Sequence, residues 1–300
     1  MFHNHSQTPR PDSYAKAIRL VREGKAAQLA MADGVVRINR TRLLQNYEAI
    51  LHCAGIEQML TEALGRGPSL MLLEDADLTL SQYAEVLPAW LPSLGSLIKD
   101  AGSRKAVAAD LLKSVEEIKL HRDKVLHGQQ PWFGASLRKR IKGVFLALRQ
   151  NKQHTPRAEV LKRLAEVERA KKGESPADEI LETLETLYLS IEAESDVRDA
   201  LPKPRGKRLP LPAVASIFEL KQLDPALTQI FKRDSLSRRL RASALIRNHL
   251  VHGSLITPTE RQTSIIRSAH ELLGQALVEF QLKKNGGHTA GGDFRNGLDL

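Results

Sequence analysis

Apolar residues recur at intervals of three and four along most of the chain, the spacing that gathers them on one face of a helix. This pattern predicts helices over 13–31, 41–64, 103–127, 136–151, 177–199, 235–252 and 258–283. Strict alternation is confined to "GVVRINR", residues 34–40, so the expected fold class is all-α. Between 153 and 176 the chain is charged and runs into "KKGESPAD", where Gly and Pro break the periodicity and Ser175 or Asp178 can cap the next helix. The stretch "LPKPRGKRLPLP", 201–212, holds four prolines and reads as a loop.

The chain's 300 residues are enough for two domains, each with its own core. The expected division is an N-terminal helical domain over 1–152 with 1–12 disordered, a charged linker over 153–176, a C-terminal helical domain over 177–283 and a disordered Gly-rich tail over 284–300.

The helices ending in "HRDKVLHG" (121–128) and "IRNHLVHG" (246–253) agree in register. Leu111, Val115, Ile118, Arg122 and Val125 fall on one face, and Leu236, Leu240, Ser243, Arg247 and Leu250 occupy the same offsets. Leu120 and Leu245 coincide as well, and each glycine is followed by a short break and another amphipathic helix, with Ser136 and Thr257 as candidate caps. The chain therefore reads as a diverged duplication of one helical unit. Arg149 and His154 repeat the Arg-to-His spacing by chance but lack the Asx after the arginine and the glycine after the histidine.

The formal charge of +10 points to a polyanionic partner, while aromatics at 4% argue against rows of stacking rings, leaving phosphate contact as the main term. The run 137–152 has six basic residues and no acid. It is either a solvated helix face or a surface whose Arg138, Lys139, Arg140 and Lys142 meet an RNA backbone. Cys53 is the only cysteine, which excludes an intrachain disulfide and thiolate-rich zinc sites and fits a reducing, cytoplasmic setting. The sequence has neither a signal-peptide pattern nor an apolar run of membrane-spanning length, so no membrane partner is expected.

The chemistry of the repeated motif fits RNA cleavage by internal attack. Imidazole can take the 2′-OH proton or return one to the leaving 5′-oxygen, and guanidinium matches the charge and shape of a phosphate. One motif brings one histidine of this kind, so a site with both acid and base calls for two motifs. Asp123 and Asn248 lie four residues before His127 and His252, on the same helix face, where they can orient the rings. Gly128 and Gly253 suit left-handed helix termini. His249 and His252 alone do not make a metal site, and neither a metal nor a cofactor is expected. Glu57 is read as exposed or locally ion-paired in preference to facing the first motif.

The motif Arg-Asx-x-x-x-His-Gly, carried by Arg122, Asp123 and His127 and again by Arg247, Asn248 and His252, resembles that of the HEPN superfamily of helical ribonucleases. The resemblance implies two HEPN-like helical bundles with both motifs facing one cleft. It also implies metal-independent endoribonuclease activity giving 2′,3′-cyclic phosphate ends, with Arg122, His127, Arg247 and His252 catalytic, and a toxin or phage-defence role. An antitoxin or other regulatory partner, or a homodimer, would accompany that role. The alternative is a non-catalytic helical RNA-binding or scaffold protein.

Overall fold

A computed structural model describes residues 13–25, 27–31, 34–65, 104–128, 130, 132–149, 155–200 and 236–286. The loop expected at 201–212, the tail, residues 1–12 and the side chain of Leu111 lie outside the described residues.

The described chain is all-α apart from one hairpin: α1 Tyr14–Arg22, β1 Ala27–Met31, β2 Gly34–Ile38, α2 Arg40–Gly65, α3 Arg104–Leu126, α4 Ala135–Arg149, α5 Ala158–Lys172, α6 Asp178–Ala200, α7 Leu236–Val251 and α8 Glu260–Gly286. The helix expected over 13–31 stops at Arg22, because Gly24 turns left-handed at φ 76° and the Lys25 amide closes on the Leu20 carbonyl at 2.8 Å. The chain then switches to a period of two. β1 pairs antiparallel with β2 from Ala27↔Ile38 to Met31↔Gly34, burying Ala27, Leu29 and Ile38.

The expected linker over 153–176 is the second correction, since 158–172 forms α5. Most of its charges occupy the outer face, Arg163 being buried against Glu166, Thr183 and Thr257, while Val160, Leu164, Val167 and Ala170 are buried and the helix packs on α2. The cap of α8 is Thr259 rather than Thr257: its hydroxyl accepts from the Gln262 amide, and the Gln262 side chain accepts from the Thr259 amide at 2.8 Å.

The buried apolar residues do not form two cores that part at 153–176. One continuous cluster takes Ile18 from α1, Leu43 and Ile56 from α2, Ile118 from α3, Phe145 from α4, Val167 from α5, Tyr188 from α6, Leu250 from α7 and Ile266 from α8. A smaller cluster, including Val197, Leu240 and Leu273, lies among α6, α7 and α8. The halves also exchange helices: α1 packs on α6, and α5 packs on α2. Arg19 and Arg22 of α1 meet buried Glu185 at 2.8 and 3.3 Å, and Lys171 of α5 meets Glu48 at 2.8 Å. Each half thus holds part of the other's fold, and the ends of α3 and α7 are brought together inside a shared frame.

Candidate functional site

Both motif helices end in the same way. The amide of His127 closes on Asp123 O, and that of His252 on Asn248 O, each at 2.9 Å. Gly128 and Gly253 follow at φ 68°, a left-handed conformation that glycine adopts without the usual Cβ penalty. Close packing gives a second reason for glycine here. A Cβ at Gly128 would stand 3.0 Å from Ser195 Cβ, and one at Gly253 would stand 2.8 Å from Val160 Cγ2 and 3.2 Å from Ala54 Cβ. Each motif therefore presses its glycine against the long helix of the other half, α6 for the first and α2 for the second.

This crossing builds two centres from exchanged parts. In the first, Glu57 of α2 lies 3.4 Å from Arg122 Nη2 on α3 and 2.6 Å from Nδ1 of His252, which follows α7. Arg122 Nη2 is 3.2 Å from the same ring nitrogen. In the second, Glu194 of α6 forms an ion pair with Arg247 of α7, and its other oxygen lies 2.7 Å from Nδ1 of His127, which follows α3. Each centre has the arginine and carboxylate of one half and the histidine of the other.

Both arginines and both glutamates are buried, whereas the His252 and His127 side chains keep 19% and 31% of their surface. The centres are therefore open to solvent on the histidine side. Burial, reinforced by the charge of Arg122, presses the Arg247 guanidinium down to about 9, which still leaves it a cation at neutral pH against the Glu194 carboxylate. Donation of Nδ1–H to a carboxylate puts the ring's lone pair on Nε2. Gln58 fixes the backbone beneath, donating from Nε2 to His252 O at 3.0 Å and accepting from the Arg157 amide at 3.0 Å.

The side chains of Arg122, His127, Arg247 and His252, expected to share a cleft, thus fall into these two adjoining centres. Nδ1 of each ring meets a glutamate from the opposite half, and the Asn248 amide oxygen accepts from Arg247 Nη2 at 3.0 Å.

Glu57 corrects a sequence reading, being neither exposed nor in a merely local pair, and Glu194 was missed altogether. A register signal was present for both. Counting back by 3, 6, 7, 10, 13 and 14 from Glu57 gives Ala54, Leu51, Ile50, Tyr47, Leu44 and Leu43. The same steps from Glu194 give Ile191, Tyr188, Leu187, Leu184, Leu181 and Ile180, and all twelve residues are buried.

The basic run on α4 is largely committed within the molecule. Arg138 donates to Phe133 O at 2.7 Å and to Gln45 Oε1 at 3.1 Å, Arg140 pairs with Glu117, and Lys142 lies 3.1 Å from Glu48 and 3.3 Å from Glu168. Lys139 is exposed. Gln45 and Glu48 precede Glu57 by twelve and nine residues on α2, roughly 18 and 14 Å along the axis, so Arg138 and Lys142 are set back from the Glu57 centre.

Among the described residues no group of three or more His, Cys, Asp or Glu side chains is arranged to hold a metal ion, and no helix is long and apolar enough to cross a membrane. His249 Nδ1 lies 2.8 Å from Ser254 Oγ. A groove between α6 and α8 is lined by Glu179, Glu182, Glu260 and Glu271 with Arg267, a charge balance unsuited to RNA. Burial pushes the Cys53 thiol up to about 12, which leaves it a packing group rather than a nucleophile. Comparisons with family models, curated proteins and solved structures find no match to this chain.

Proposed function

We propose that the chain is a metal-independent endoribonuclease of the HEPN type, formed from two diverged copies of a four-helix unit that complete one catalytic cleft. The observation that carries this reading is the exchange of histidines. His252 lies against Glu57 and Arg122 of the first half, and His127 lies against Glu194 of the second. That exchange supports the reading, because a site with two imidazoles and two guanidinium groups would draw on both halves of the chain.

In the proposed reaction one imidazole takes the 2′-OH proton as the 2′-oxygen attacks phosphorus. The P–O5′ bond breaks, and the other imidazole returns a proton to the departing 5′-oxygen. Arg122 and Arg247 balance the charge that grows on the non-bridging oxygens. The products are a 2′,3′-cyclic phosphate and a 5′-hydroxyl. Such an activity in a cytoplasm requires restraint, which makes a toxin or phage-defence effector with an antitoxin or regulatory partner the setting that suits it.

The competing reading, a non-catalytic RNA-binding protein, keeps the arginines for phosphate contact alone. Incubation of the protein with mixed single-stranded RNA in excess EDTA, followed by analysis of the ends, separates the two. Cleavage that persists in chelator, leaves cyclic phosphate and disappears in His252→Ala is the expected result. Activity that is lost in EDTA and restored by Mg²⁺ contradicts the proposal, as does binding without cleavage.

A further inference from the structure

Because Arg138, Arg140 and Lys142 of α4 already have partners within the molecule, another path for RNA to the cleft is worth seeking, and α7 carries the required pattern. Its sixteen residues, "LSRRLRASALIRNHLV", contain five basic or imidazole side chains and no carboxylate. Its buried side takes Leu236, Leu240, Ser243, Arg247 and Leu250. On the opposite side Arg238, Leu245 and His249 are exposed at offsets of seven and eleven, a single stripe that reaches His252 at offset fourteen, roughly 21 Å along the axis.

Leu245 is the unusual member, a large aliphatic side chain 61% exposed in the midst of cations and seven residues from a site histidine. Its counterpart Leu120 on α3 is 55% exposed and also seven residues before its histidine, with Lys113 and Lys124 at the positions of Arg238 and His249. The same apolar residue left in solvent at the same place beside both site histidines is hard to assign to packing. The α3 stripe also holds Glu116, with Asp123 beside it, so α7 is the more cationic of the two.

We propose that the exposed stripe of α7 is the track for single-stranded RNA, with Arg238 on a phosphate, Leu245 against the face of an unstacked nucleobase, and His249 between that base and the scissile bond at His252. The inference rests on the nuclease reading for its direction, because it places the track on the helix that leads into the cleft. Charge complementarity selects a polyanion, and the exposed leucine selects one whose bases are not buried in a duplex.

The test uses the full-length protein and a mixed-sequence 2′-O-methyl RNA 12-mer, which lacks the nucleophile, in fluorescence anisotropy across a salt series. Arg238→Ala should weaken binding and reduce the slope of log K against log salt by about 0.7, the value for one phosphate contact on a single strand. Leu245→Ser should weaken binding by fivefold or more with the slope unchanged, and Lys139→Ala on α4 should do neither. Both altered stripe residues are exposed, so thermal melts should match the wild type. Affinities within twofold of wild type for Arg238→Ala and Leu245→Ser overturn the track, as does tighter binding of the matching duplex or capture of an acidic protein in place of RNA. If the variants lose RNA affinity but unmodified RNA is never cut, the track stands and the nuclease reading falls. If RNA is cut while the stripe variants bind normally, the reverse holds.

Discussion

A carboxylate held against an imidazole settles which ring nitrogen faces the substrate and stabilises the ring when it takes up a proton, as in any dyad of this kind. Glu57 and Glu194 are placed for that role at 2.6 and 2.7 Å from Nδ1 of His252 and His127, and each also neutralises a buried arginine. On the proposed nuclease reading they act as positioning residues, and their removal should act on turnover more than on RNA binding. Glu57→Gln and Glu194→Gln are each expected to lower kcat by about 10²-fold, the order of a general acid–base contribution, with KM little changed and the pH–rate profile displaced. Glu57→Asp should recover part of the loss. A kcat within threefold of wild type for both amide variants would remove the carboxylates from the mechanism. The arginines, histidines and glycines of the two motifs were legible because their spacing along the helix carries the signal. The glutamates were not, because Glu57 lies 195 residues from His252 and no local pattern records that pairing. Only the matched register of buried residues around Glu57 and Glu194 points to them.

At the scale of elements, the packing of α2 against α4 includes an ionisable group among apolar neighbours. His52 is buried with its ring 4.6 Å from that of Phe145, and burial, followed by the charges of Lys142 and Lys171, lowers its pKa to about 4. In the unfolded chain the ring titrates near 6.5, so between about 6.5 and 4 the unfolded state binds the extra proton. Stability should therefore fall as pH drops through that window, by up to about 3 kcal/mol in all. Most carboxylates begin to titrate below the upper part of this window. His270 has the opposite sign, since Glu192, 3.6 Å from its Nε2, raises its pKa and its contribution fades as pH rises above 6.5. Urea unfolding at pH 6.5 and 5 is expected to show the loss in the wild type, and His52→Leu should flatten it. An equal slope in the variant would mean that another group is responsible. Most helix boundaries could be read to within a few residues because amphipathic periodicity is strong. The hairpin was hidden since "AAQLAM" satisfies a helical pattern as well as a strand, and Gly24 decides between them. α5 was hidden by its charges, although Val160, Leu164, Val167 and Ala170 already traced a helix face.

At the scale of the whole molecule, the duplicated motif could be read but the way the halves meet could not, because nothing local shows that one core is shared. Two halves with separate cores could rotate or part; halves that exchange α1 and α5 and press Gly128 and Gly253 onto each other's long helices are held in register. If one cleft needs both histidines, His127→Ala and His252→Ala should each abolish most cleavage, and the double variant should be little worse, because residues acting as a unit are non-additive. Separate sites predict a different outcome. Were each motif to pair with its twin in a homodimer, either single variant would keep about half the activity, and only the double variant would be dead. A third arrangement, in which the exchange occurs between two chains, also inactivates both single variants, so mixing them is the decisive step. Chains that trade histidines would regenerate a complete centre in mixed dimers and recover activity on co-incubation. Chains that close the cleft internally would not, since the partner motif is already tethered at an effective concentration in the millimolar range that a protein at micromolar concentration cannot match. The distance of 2.6 Å between His252 and Glu57 within one chain gives the expected result: two inactive single variants, an equally inactive double, and no recovery on mixing. Recovery after co-incubation, at matched folding by circular dichroism, would transfer the active unit to the dimer.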